Sequence, residues 1–175
     1  MPLLYANLDP ITRRYCLAEF DHDVARGTVA ISSRIRPGAI DDYVELLRQA
    51  LAYYDDQWLE DRIEGMLVDF ELRNTPTGSV TTAKLPSYAA RVIAEGDFNR
   101  YYMRGVCARA LAEGLEVVEV YRARLSAEPR PESVELEGQQ LRASDLLDEL
   151  RIAHPDPTVE AALGKPNSGL SVRLV

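Results

Sequence analysis

The stretch from Ser87 to Gly114 constrains this chain's fold more than any other. Ser87, after Pro86, reads as an N-cap, and apolar residues then recur at helical spacing as far as Gly114, with Gly96 and Gly105 inside the pattern. Turning each residue by about 100° from Phe98 puts Tyr102, Met103, Val106, Cys107 and Ala110 on an arc of about 180°, which Ile93 and Leu111 widen. Glu95 and Asn99 fall inside that arc. Arg91, Glu95 and Asn99 form a ladder at four-residue steps on one stripe, and Arg109 returns to the position of Arg91. On the other side, Ala94, Gly105, Ala108 and Ala112 make a small-residue seam, with Tyr101 beside it, that permits close approach of another backbone.

A buried carboxylate or amide without a partner costs a few kcal/mol. Three arrangements satisfy Glu95 and Asn99. They bond within the chain, to Arg91, Arg109 or the backbone of another element. They face a partner subunit, where Arg and Tyr are enriched as anchors. Or they line a small-molecule or nucleotide pocket with Arg100 and Arg104 as anion anchors. Arg100 and Arg104 also share a face with Asp97, which suits a solvated charge pair. The sequence leaves all of these open.

The 175 residues are 46% hydrophobic, enough for a real core without staples, in one or two lobes. The net charge is −8, and neither half is basic: residues 1–87 carry 14 acids and 9 bases, residues 88–175 carry 14 and 11. That balance disfavours non-specific nucleic-acid binding, which needs a basic surface. Cys16 and Cys107 sit in helical patterns among apolar residues and read as small buried hydrophobes, with a long-range disulfide left open. The N-terminus lacks a basic region followed by an apolar run, so no signal peptide is expected. No apolar stretch approaches bilayer-spanning length, so no membrane partner and a cytoplasmic location are expected.

Elsewhere, Asp9, Pro10 and Gly27 bracket a helix whose apolar face is read as Ile11, Tyr15 and Ala18, widened by Cys16, Leu17 and Phe20. Residues 28–35 read as a weak strand. Residues 39–56 and 56–73 show two helical periods, the second through Trp58, Leu59, Ile63, Met66, Leu67 and Phe70, which suggests a helical hairpin. Residues 74–87, rich in Thr, Pro, Ser and Gly, read as a loop or extended crossover with room for a strand at Val80. Residues 115–126 alternate like a strand, and 134–143 suggest a hairpin around Glu137-Gly138. Ser144 opens a short helix, a helical turn is expected at 158–163, and 170–175 is a terminal strand.

No catalytic constellation is legible. His22 lies in an Asp-His-Asp run, but adjacent helical residues point different ways, and His154 precedes a proline. Asp41-Asp42 and Asp55-Asp56 sit at helix ends, where capping explains acids. The segment 164–169 lacks the spacing of a phosphate-binding loop. Arg122, Arg124 and Arg130 with Tyr121 could touch phosphate, but Glu116, Glu119, Glu128 and Glu132 surround them. No metal site and no cofactor is expected.

Four pieces, YANLDPITRRY, AEGDFNRYYMRGVCARA, VYRAR with PRPES after it, and PNSGLSVRL, run together over most of the chain. On them the chain resembles a set of uncharacterised bacterial proteins, some from phage or other mobile-element settings. The resemblance implies a complete, stand-alone protein and carries over no activity, ligand or residue role.

The expected fold is α+β: a helical N-terminal lobe (1–73), a linker or extended crossover (74–87), and an α+β lobe (88–175) whose long helix packs on a small, mainly antiparallel sheet, the whole being two lobes or one integrated domain. The expected function is a non-enzymatic subunit, self-associating or bound to a protein partner, and a structural component of a multi-subunit, phage-like particle. Its binding or interface residues are Arg91, Glu95, Asn99, Arg100, Tyr101, Tyr102, Arg104 and Arg109, with Tyr53-Tyr54 as a further aromatic cluster. The rival is a small-molecule, nucleotide or anion-binding enzyme using Asn99, Arg100 and Arg104, with Glu95 as general base. It predicts a pocket over the helix and a raised Glu95 pKa.

Overall fold

Asp9 starts the first helix by accepting the Ile11 and Thr12 amides, Pro10 fills the first helical position, and Gly27, at φ 65°, ends it; α1 is Pro10–Arg26. The computed structural model describes residues 3–76, 78–124, 131–152, 163 and 169–175. Residues 128–130, His154 and the stretches 158–162 and 164–168, on which readings were made above, lie outside them.

A 3-10 turn at Pro37–Ala39 feeds α2, Ile40–Tyr53. Asp55 then accepts the Trp58 amide and opens α3, Asp56–Ile63, so the expected helical hairpin forms. The second helix is shorter than its apolar period suggests. Gly65 sits in a 3-10 turn, Glu64–Met66, and the chain leaves it as β1, Phe70–Asn74, paired antiparallel with β2, Val80–Lys84. Phe70, read as the end of a helical stripe, instead alternates with Leu72 along a strand. The strand expected at 28–35 is only a single bridge, Ile35 to Leu67.

The long helix α4 is Ala89–Ala112. β3 (Val117–Arg122), α5 (Pro131–Leu136), β4 (Gln140–Arg142), α6 (Ala143–Arg151) and β5 (Leu170–Leu174) follow. β3 lies between β4 and β5, antiparallel to both. The hairpin expected around Gly138 is not formed by two strands. Residues up to Leu136 are helical, Gly138 turns at φ 84°, and β4 pairs back onto β3. The fold is α+β, with α4 packed against the small antiparallel sheet.

α4 is the axis around which the core is laid. α1, α2, α3 and α6 pack on it together with β3 and β5, and the buried cluster runs from Cys16 and Phe20 through Phe98, Tyr102 and Met103 to Val172. Part of the small-residue seam works as expected. A Cβ added at Gly105 would stand 2.4 Å from Cys16 Sγ and 2.8 Å from the Cys16 amide nitrogen, so only glycine lets α1 come this close. The face α1 turns to α4 differs from the expected one. It buries Thr12, Cys16, Glu19, Phe20 and Asp23, while Ile11 stays exposed. Two carboxylates on a buried face require a counter-charge, and α4 supplies it.

Candidate functional site

The polar residues of α4 divide among several faces. Asn99 spends its amide on β5: Nδ2 donates to the Leu170 carbonyl at 2.9 Å, and Oδ1 accepts from Ser171 Oγ at 2.7 Å. Glu95 pairs with Arg124, just beyond β3. Burial pushes its carboxyl above the ordinary range, opposed by the Arg124 and Arg91 charges. Arg91 lies beside it, with a buried Nε that has no hydrogen-bond partner among the described residues. The Tyr102 ring packs at a tilt against Tyr5, and its hydroxyl accepts the Asn7 amide at 3.0 Å. Arg109 reaches Asp9 at 2.7 Å, Thr12 and Glu113, tying the start of α1 to the end of α4.

Arg104 is fully buried. Its guanidinium donates to Glu19 Oε2 at 2.9 Å and to Asp23 Oδ2 at 2.6 Å, and lies 4.9 Å from the centre of the Tyr101 ring. The Tyr101 hydroxyl donates to Asp23, and Arg151 closes on Glu19 at 2.7 Å. Two acids thus meet two guanidiniums. Burial opposes charge on both acids, but Arg151 and Arg104 hold Glu19, and Arg104 holds Asp23, below the usual carboxylate range. The sequence pattern put Arg104 on a face with Arg100 and Asp97 and left it open as a solvated pair, an interface residue or an anion anchor; the structure puts it in the interior. The signal that could have found its partners is the i,i+4 spacing of Glu19 and Asp23, two acids one turn apart on a helix with buried neighbours.

Arg100 departs from Arg104. Its Nε and Nη2 donate to the Leu150 carbonyl, and Nη2 also to that of Ile152, so it caps the end of α6. Beside it Asp97 accepts the Tyr43 hydroxyl, and burial pushes the Asp97 carboxyl up to about 6. These two residues border a cleft of about 240 Å³ between α4 and the segment 32–34, lined by Ser32, Arg34, Val92, Ile93 and Gly96. A void of about 10 Å³ lies behind them, against Asp23, Tyr101 and Arg151. Glu95, Asn99 and Arg104 do not line either space. Ser32 and Arg34 were not among the expected site residues, since a helical wheel carries no information about a segment 60 residues away; Asp97, on the same helix, was read only as the partner of a solvated charge pair.

The remaining candidates have local explanations. His22 is exposed and stands 3.5 Å from Asp23. Cys16 and Cys107 are free and buried, and burial pushes both thiols up to about 12, which leaves little thiolate to react. Among the described residues no cluster of three or more His, Cys, Asp or Glu is arranged around a metal position, and no helix is long and apolar enough to cross a membrane. Compared with known proteins, the chain matches no family model, no curated protein and no solved structure.

Proposed function

We propose that the protein is a non-enzymatic subunit that associates with further copies of itself through the β1–β2 ribbon. The ribbon's register carries this reading. Phe70 pairs with Lys84, Leu72 with Thr82 and Asn74 with Val80, so these six side chains share one face. Phe70, Leu72 and Val80 are 60%, 75% and 62% exposed, and Lys84 is the only formal charge beside them. The opposite face is tied down through Glu71, which accepts from both Arg34 and Arg73. A two-stranded ribbon is marginal alone in water, and an apolar face on it favours contact with another surface.

A second exposed surface lies at the start of α3, where Tyr53 and Tyr54 project and Tyr54 stacks on Trp58 at 4.2 Å. Two unlike apolar surfaces on one chain suit heterologous contacts, which build rings or filaments rather than closed pairs. That supports a structural component of a multi-subunit particle. Glu95, Asn99, Arg100, Arg104 and Arg109 of α4 have partners within the chain, so the reading rests on the ribbon and the tyrosines. Light scattering on the purified chain should show a mass that rises with concentration, and Leu72→Asp should return it to the monomer with an unchanged circular dichroism spectrum. A clean wild-type monomer at high concentration overturns the proposal.

A further inference from the structure

We infer that the cleft between α4 and segment 32–34 binds a small zwitterion of the α-amino-acid type. Its volume of about 240 Å³ leaves room for a small molecule. The unused hydrogen-bonding capacity around it falls into two kinds. Arg34 spends Nε on Glu71, and Arg100 spends Nε and Nη2 on the end of α6; among the described residues the Nη groups of Arg34 and Nη1 of Arg100 remain as donors. Those suit a carboxylate. Asp97 uses one oxygen on Tyr43 and, among the described residues, keeps the other as an acceptor, which suits an ammonium. Val92, Ile93 and Gly96 supply an apolar wall for a short side chain.

Charge balance favours a zwitterion over a plain anion. Glu71, outside the cleft, holds Arg34, and within the lining the Asp97 carboxyl faces the charge of Arg100, so the cleft presents both signs locally. A ligand that carries both signs itself satisfies each end without leaving an unpaired charge in the cleft. The site is separate from the association proposed above, since none of its lining residues belongs to the ribbon's apolar face.

Calorimetric titration of the full chain tests this. The probes are the standard amino acids, the carboxylic acid lacking the ammonium and the amine lacking the carboxylate for each, and inorganic phosphate. At least one amino acid should bind saturably at one site per chain, with both truncated counterparts at least tenfold weaker. Arg34→Gln should weaken it at least tenfold. Val92→Trp, which fills the cleft and leaves the Arg34–Glu71 pair alone, should abolish binding while circular dichroism stays unchanged. No saturable amino acid, truncated counterparts as good as the parent, phosphate binding tighter than every zwitterion, or binding indifferent to Val92→Trp would each overturn the inference.

Discussion

A guanidinium taken out of water costs several kcal/mol unless charges and hydrogen bonds replace its hydration, and Arg104 meets that demand with Glu19 and Asp23 of α1. Among the described residues, truncation to Arg104→Met leaves the Asp23 carboxylate with Tyr101 and His22, and that of Glu19 with Arg151. Urea unfolding at neutral pH should show a loss of about 3–5 kcal/mol, the usual cost of breaking a buried pair from one side. Arg104→Lys should recover only part of it, because a single ammonium cannot present a fork to two carboxylates. An Arg104→Met protein as stable as wild type would show that the cluster is solvated in solution. One part of this chemistry was legible and one was not. Glu95 and Asn99 stood out as polar residues inside an apolar arc, and both are buried and bonded. Arg104 lies outside that arc, beside the small-residue seam. The seam turned out to be the buried contact with α1, so an exposed reading of its neighbour failed.

At the scale of elements, the α1–α4 crossing depends on Gly105. Adding one methyl there meets Cys16 at its Sγ, amide nitrogen and Cα, at 2.4, 2.8 and 3.0 Å. The backbone of α1 must then shift, and Gly105→Ala should cost about 1–3 kcal/mol or more, read as a lower Tm. Combining it with Cys16→Ala should give little recovery, because two of the three colliding atoms are backbone. Full recovery in the double variant would mean that only the sulfur sets the crossing. α1 and α3 were readable because Asp9 and Asp55 cap them, and α2 and α4 because of their apolar period; the start of α4 was not, since it begins at Ala89 with no side-chain cap and the expected N-cap at Ser87 does not form. The ribbon was harder. Residues 64–70 carry an apolar helical period and also an alternating one, and the choice between them is made by β2, which lies beyond a turn. The strand expected at 28–35 failed for the converse reason: its residues are β-branched, but no neighbouring edge offers a ladder beyond the Ile35–Leu67 bridge.

For the molecule as a whole, opposed groups of buried acids set the response to pH. Glu19 and Asp23 titrate below the ordinary carboxylate range, so their contribution is fully present above about pH 4 and is lost as pH falls through their folded pKa values. Asp56 behaves in the opposite way. It is 2% exposed, its Oδ1 has no partner among the described residues, and burial raises its carboxyl to about 6, with Glu95 and Asp55 adding to the rise. The folded state therefore holds a proton that the unfolded chain releases near pH 4, and stability falls as pH rises from about 4 to about 6. Asp97, also raised to about 6, adds in the same direction. Stability should therefore peak in mildly acid solution rather than at pH 7 to 8. Asp56→Asn keeps an acceptor for the Leu3 amide and removes the charge that burial disfavours. It should raise stability at pH 8 by about 2 kcal/mol, leave it unchanged at pH 4, and flatten the slope between. Denaturant titrations of both proteins at those pH values decide the matter. Equal wild-type and variant stability at pH 8 would mean that the Asp56 carboxylate finds solvent or a cation when the protein is folded.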